Sequence, residues 1–238
     1  MKLPLDSYSL RARFFPAVIV LVPAVAAAAA WVPLDSLSWK TFASAGCLAA
    51  LASLLSHLAR DLGKRREPEL FARWGGAPTI RFLRHRDTTL PEATRDRYRA
   101  KLGTIVPSVA LPSSRSEKAK PDAADDVYRS CCDWLREATR DRTRFGLLFE
   151  ENVGYGFRRN LWAMKPVGVA LSAAALVAAG FRIWMSMSSD DPPTVESIAA
   201  ISIGAPLLAC WLLRITPNWV KVTSEAYARQ LLAACDVL

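Results

Sequence analysis

The chain has 238 residues, 52% of them apolar, with a mean hydropathy of +0.14 and a formal net charge of +9. A soluble domain this basic would be less apolar, and a lone membrane bundle would be less charged, so the totals exclude one mixed core. Five cysteines with no C-x-x-C pair, and only two histidines, argue against a disulfide framework or a zinc site.

Apolar and charged residues separate along the chain. The apolar ones concentrate at 14–34, 41–59, 166–187 and 196–215, each with about the length that crosses a bilayer. The stretch from Arg60 to Lys165 holds 23 Lys and Arg against 15 Asp and Glu, a formal +8 of the total +9. Fold class follows: a mainly α, polytopic membrane protein with four transmembrane helices in two hairpins and a cytosolic, mostly helical insertion between them. The expected domains are a first transmembrane hairpin at 1–61, a cytosolic basic domain at 62–165, a second hairpin at 166–216, and a cytosolic amphipathic helix at 217–238.

The first apolar segment follows Arg11 and Arg13. Its order of charge, apolar run and Ala28-Ala29-Ala30 is shared by signal peptides, but we read it as a span, with Pro16 and Pro23 bending it or starting it late. A short link then leads to the second span at 41–59, which ends against Arg60, Asp61, Lys64, Arg65 and Arg66. Trp31 and Trp39 fall where interfacial aromatics sit.

In the insertion, the residues predict a short helix over Pro68–Trp74 stopped by Gly75-Gly76. Loose alternation at 79–84 reads as a strand or an extended lip. A helix follows, with Pro91 in its first turn and Gly103 past its end, burying Tyr98 and Leu102. Residues 107–121 hold three prolines and no period, which reads as a mobile linker. From Asp122 a helix reaching about 150 presents Val127, Cys131, Trp134, Leu135 and Ala138 as one stripe, with acidic residues at its start and arginines at its end. Cys131 and Cys132 read as packing residues, like Cys47 and Cys210 in the spans. Arg158, Arg159 and Lys165 are expected at phospholipid headgroups, with Phe157 and Trp162 entering the interface.

The two later spans are joined by a short acidic link with Asp190 and Asp191. The first link carries Asp35 and Lys40. The positive-inside rule then places both termini and the insertion in the cytoplasm.

No catalytic constellation is present: there is no G-x-S-x-G, phosphate-binding loop or H-E-x-x-H, and Gly154-Tyr155-Gly156 lies outside any strand-to-helix turn. His85 beside Asp87 offers a base, but basic loops bring such neighbours together by accident. We expect no enzyme, no cofactor and no metal.

The arginine clusters carry more information. Arg81, Arg84 and Arg86; Arg95, Arg97 and Arg99; Arg140, Arg142 and Arg144; and Arg158 with Arg159 are candidate phosphate ligands, because guanidinium groups grip phosphates with two bonds. The alternative is that they fix topology and attract the anionic leaflet. Arg95, Arg97, Arg99 and Arg140 lie further from the spans than topology requires.

Within the spans, small residues such as Gly168, Ser172 and Gly204 allow close helix approach, within a chain or between copies. No ionisable group stands at a span's centre: His57 is at the cytoplasmic end, and Arg182 and Glu196 are near the outer end. That disfavours a coupled transporter and leaves a homo-oligomeric pore or a membrane anchor.

Four spans, an Arg-rich insertion, and the runs LARDLGKRREPELFARWGGAPTIRFLRHRDTT and FEENVGYGFRRNL resemble, in plan, the small membrane effectors of bacterial anti-phage operons. The layout is similar to that of the channel subunit of the Hailong defence system. The resemblance implies a homo-oligomeric ion channel gated by a nucleotide or oligonucleotide ligand, with an operon-encoded enzyme making that ligand. A competing expectation is a non-enzymatic anchor that holds a partner protein through the 122–150 helix.

Overall fold

The computed structural model describes residues 8, 10–31, 39–189 and 191–238, with side chains omitted at 39–45. The first inter-span link with Asp35, the side chains of Trp39 and Lys40, and Asp190 lie outside the described residues. The protein is mainly helical, and no strand occurs among the described residues. It divides into two compact units: Met1–Arg66 with Gly156–Val220, and Glu67–Tyr155 with Lys221–Leu238.

Among the described residues three helices are long and apolar enough to cross a membrane: α1 (Leu10–Ala29), α8 (Lys165–Ser188) and α9 (Val195–Arg214). The expected span at 41–59 is not among them. It lies within the 35-residue helix α2 (Trp39–Arg73).

In the first unit α1, α8 and α9 pack on one another. Along α8 the buried positions are Gly168, Ser172, Ala175, Ala179 and Ser186, and along α9 they are Ser197, Ala200, Gly204 and Trp211. Steps of three, four and seven keep each set on one seam, and small side chains let the backbones approach. The opposite faces, including Val177, Trp184, Ile198 and Leu213, are exposed, as lipid contact requires.

Two helix defects in this unit are satisfied by side chains. Pro16 has no N–H to return to the carbonyl four residues earlier, and that carbonyl, Ala12 O, instead accepts from buried Asn160 Nδ2 at 2.8 Å. α1 therefore runs through Pro16, opening with a π-helical turn at Leu10–Phe14 rather than starting late. At the far end of α9 the last turn, Cys210–Arg214, is also π-helical. Lys165 Nζ donates to Leu212 O at 3.2 Å and Ile215 O at 3.0 Å, supplying a cation where carbonyls lack helical partners. Lys165 thus caps the end of α9.

The second unit is built around α3 (Pro78–Arg81), α4 (Glu92–Ile105), α5 (Ser114–Ala119), α6 (Pro121–Ala138), the first part of α7 (Gly146–Ala163) and most of α10 (Pro217–Ala233). Several expectations are corrected. No short helix begins at Pro68, because α2 passes through it and stops only at Gly75 and Gly76, whose φ angles of 75° and 127° suit glycine alone. Residues 79–84 are a helical turn followed by turns, since extended Ala77 and the fixed φ of Pro78 start a helix there.

Gly103 lies inside α4, which continues to Ile105. The 107–121 segment contains α5, whose Ser113 side chain accepts from Ser116 N. The helix expected over 122–150 is two helices, broken where the Asp141 carboxylate accepts from Thr143 N. Its buried stripe is Ala124, Tyr128, Cys131, Cys132 and Leu135, which shares only Cys131 and Leu135 with the expected one. Tyr98 and Leu102 are buried as expected.

One hydrophobic core joins α3, α4, α6 and the C-terminal segment, where Ala228, Leu231, Leu232 and Cys235 are buried. Burial raises the Cys131 thiol and pushes Cys132 and Cys235 up to about 12, so these are packing residues and not reactive thiols.

Candidate functional site

Four of the candidate arginines of the second unit direct their donors inward. Arg84 grips Asp125 with two bonds, Nε at 2.8 Å and Nη2 at 2.5 Å, and reaches Gly75 O at 2.6 Å. A Cβ on Gly76 would stand 2.7 Å from Arg84 Nη2, so the glycine pair both ends α2 and admits this guanidinium. Arg81 meets Asp87 at 3.1 Å and Glu225 at 2.7 Å, and donates to Trp74 O at 3.0 Å. Arg95 is buried and donates to Asp87 O at 2.8 Å.

Arg99 is buried among three acceptors: Leu83 O at 2.7 Å, the Tyr128 hydroxyl and Pro112 O. The Tyr128 hydroxyl in turn donates to Glu117 at 2.7 Å, and His85 N donates to the same carboxylate at 2.9 Å. Arg99, Tyr128 and Glu117 form a chain that ties α4, α5 and α6 together. Because Glu117 is only 4% exposed, its charge depends on these donors.

Burial alone would raise the Glu117 carboxyl, but hydrogen bonds from the His85 and Arg86 backbone and from Tyr128 outweigh it and hold it below its ordinary value. Burial, together with donation to Glu117, pushes Tyr128 up to about 12. A carboxyl with a lowered folded pKa contributes stability that is complete above its unfolded value, 4.5 for Glu117, and is lost as pH falls through the folded value. The second unit should therefore weaken below about pH 4.5, and Glu117→Gln should flatten that acid limb of a melting-temperature profile while lowering stability at about pH 7.

The remaining arginines are placed differently. Arg97 is exposed and pairs with Asp236 through two bonds of 3.0 Å. Arg86 is exposed, and among the described residues its side chain forms no hydrogen bond or ion pair. Arg140, Arg142 and Arg144 stand exposed on the turn between α6 and α7. Arg140 meets Glu137 at 2.8 Å, Arg142 lies 4.5 Å over the Phe149 ring, and Arg144 donates to Val237 O.

Arg158 and Arg159 belong to the first unit. Arg158 lies 4.8 Å over Trp219 and donates to its carbonyl at 2.9 Å, while buried Arg159 donates to Asn160 at 3.3 Å. Trp162, expected at the interface, is buried under Arg66, whose guanidinium is 4.2 Å away.

The nine candidate arginines of the second unit therefore do not converge on one site. Arg81, Arg84, Arg95 and Arg99 hold the second unit together, and Arg158 and Arg159 fasten the first. Arg86, Arg97, Arg140, Arg142 and Arg144 remain at the surface of the second unit. His85 directs Nε2 to Pro112 O at 3.2 Å, and Asp87 is engaged by Arg81, so the two do not form an acid–base pair.

Glu117, Tyr128, Asp125 and Asn160 do not stand out in the sequence. The spacing Ser114-Arg115-Ser116-Glu117 resembles a helix-starting box, but Ser113 and not Ser114 caps α5, so it does not mark Glu117. No family model, no curated protein and no solved structure matches the chain.

Proposed function

We propose that this chain is an oligomeric ion channel of a bacterial inner membrane, gated by a phosphate-rich ligand, nucleotide or oligonucleotide, on its polar unit. What supports the reading most is that α2, α7 and α10 each contribute residues to both units. A ligand-induced change in the polar unit thereby has helical routes into the apolar one. The absence of an ionisable residue at the centre of α1, α8 and α9 suits a pore closed by apolar side chains rather than a proton-coupled carrier.

In this proposal α2 supplies the fourth span through 41–59, facing α1 across an apolar cleft. Its exposed Leu48, Leu51, Leu54 and Leu58 then meet lipid or a neighbouring copy. The polar unit and both termini lie in the cytoplasm. An anti-phage role, with a partner enzyme supplying the ligand, rests on the similarity of plan to the Hailong channel subunit.

The ligand is assigned to the exposed arginines. Reversing Arg140, Arg142 and Arg144 to glutamate should weaken binding to a DNA oligonucleotide and flatten its dependence on salt by about one unit for each phosphate that is no longer neutralised. Fluorescence anisotropy across a salt series checks this, and unchanged affinity and slope reject the assignment. Expression beside a membrane-potential dye tests the channel itself: depolarisation on ligand production supports it, and a membrane-inserted protein that never depolarises cells supports an anchor.

A further inference from the structure

We propose that the cleft between α1 and α2 holds one acyl chain of an anionic phospholipid. The cleft has a volume of about 450 Å³, and its walls include Phe14, Val18 and Ala26 of α1, Leu48 and Ala52 of α2, and Ile203 of α9. Every lining side chain is apolar, so the cleft offers nothing to a nucleotide or an ion. The volume lies within the range of about 300–1,000 Å³ that small-molecule sites occupy.

Length selects the occupant. Phe14 and Ala26 are twelve residues apart on a helix, about 18 Å at about 1.5 Å per residue. One leaflet of hydrocarbon is about 15 Å, half of a core of about 30 Å, whereas a transmembrane helix from a second copy needs all of it. The cleft therefore matches a chain that enters from one side and stops near the midplane.

Charge selects the headgroup. Arg11 precedes Phe14 by three residues and is exposed, and Arg13 sits 5.3 Å over the Tyr8 ring. The two arginines in the first turn of α1 favour a phosphate-bearing, net anionic headgroup over a zwitterionic one at the Phe14 end of the cleft. The lipid then fills the space between α1 and α2, where α2 contributes Leu48, Ala49 and Ala52. This inference rests on α1 being a span but needs neither the channel nor its ligand.

Native mass spectrometry of the purified full chain, in detergent with phosphatidylglycerol or phosphatidylcholine added, tests it. One phosphatidylglycerol should be retained per chain. Ala26→Phe, and separately Val18→Trp, should lower retention at least ten-fold by filling the cleft. Arg11→Gln should leave a lipid bound but abolish the preference for phosphatidylglycerol.

Retention unchanged in both filling variants would overturn the proposal. So would a change in subunit number in those variants with lipid retention intact, which would assign the cleft to a second copy. An equal response to both headgroups in the unaltered protein would overturn the anionic assignment. Elution of each variant at the volume of the unaltered protein separates loss of lipid from loss of fold.

Discussion

Replacing Arg99 by methionine should destabilise the second unit by about 3–5 kcal/mol, the cost of removing one partner from a buried charge network. The side chain keeps much of its volume, so the effect is electrostatic. Leu83 O loses its donor and Pro112 O keeps only the contact from His85 Nε2, and the Glu117 carboxylate is left without the cation that faces it through Tyr128. For a unit of this size the melting temperature should fall by about 10 °C or more. Arg86→Met is the control: Arg86 is exposed, and surface changes of this kind usually stay within about 0.5 kcal/mol. Thermal unfolding of both variants in detergent checks the pair. Equal stability would show that the buried chain of Arg99, Tyr128 and Glu117 does not hold the unit.

Gly168→Ala should disturb the membrane bundle more than its single added methyl suggests. A Cβ at Gly168 would lie 2.3 Å from Trp211 Cε2 and 2.4 Å from Cζ2, closer than atoms can pack. Trp211 is 1% exposed and has little space to retreat, so α8 and α9 must separate there. Overpacking of this kind costs about 1–3 kcal/mol, and leucine at the same position should cost more. The double variant Gly168→Ala with Trp211→Phe shortens the obstructing ring and should recover part of the stability, a coupling that touching residues show. Heat-induced aggregation of the unaltered protein, the two single variants and the double variant measures it, and additive effects would contradict the packing described. By contrast, Gly180→Ala meets nothing within 4 Å and should be tolerated.

The elements legible in the sequence are those with a local cause. Apolar runs of membrane length mark α1, α8 and α9. Gly75-Gly76 marks the end of α2 because only glycine takes those φ angles easily. Tyr98 and Leu102 stand out as large apolar residues on a charged helix, and both are buried.

What escapes the sequence depends on distant partners. Arg84 finds Asp125 across 41 residues, Arg81 finds Glu225 across 144, and Arg97 finds Asp236 across 139. An arginine in a cluster looks alike whether it faces solvent or a carboxylate delivered from another helix. Nor does a segment with three prolines advertise a helix such as α5, whose capping serine places Glu117 at the centre of a buried network. The C-terminal segment reads correctly as a helix, but its place in the core of the second unit depends on neighbours far away along the chain, such as Phe82, Tyr98 and Leu102.

This distinction reshapes the candidate ligand surface. Charge reversal at Arg84 or Arg99 should unfold the second unit and thereby remove binding without reporting on the ligand. Arg140, Arg142 and Arg144 are exposed, so their reversal should spare the buried core, and weaker binding there has a direct meaning.

Ion flux from liposomes holding the purified full chain tests the channel reading most directly. Vesicles loaded with potassium and carrying inserted protein should release it when a DNA oligonucleotide is added on the side of the polar unit, and Arg140→Glu, Arg142→Glu and Arg144→Glu together should suppress the response. Release no faster than from protein-free vesicles, with and without oligonucleotide, would contradict it.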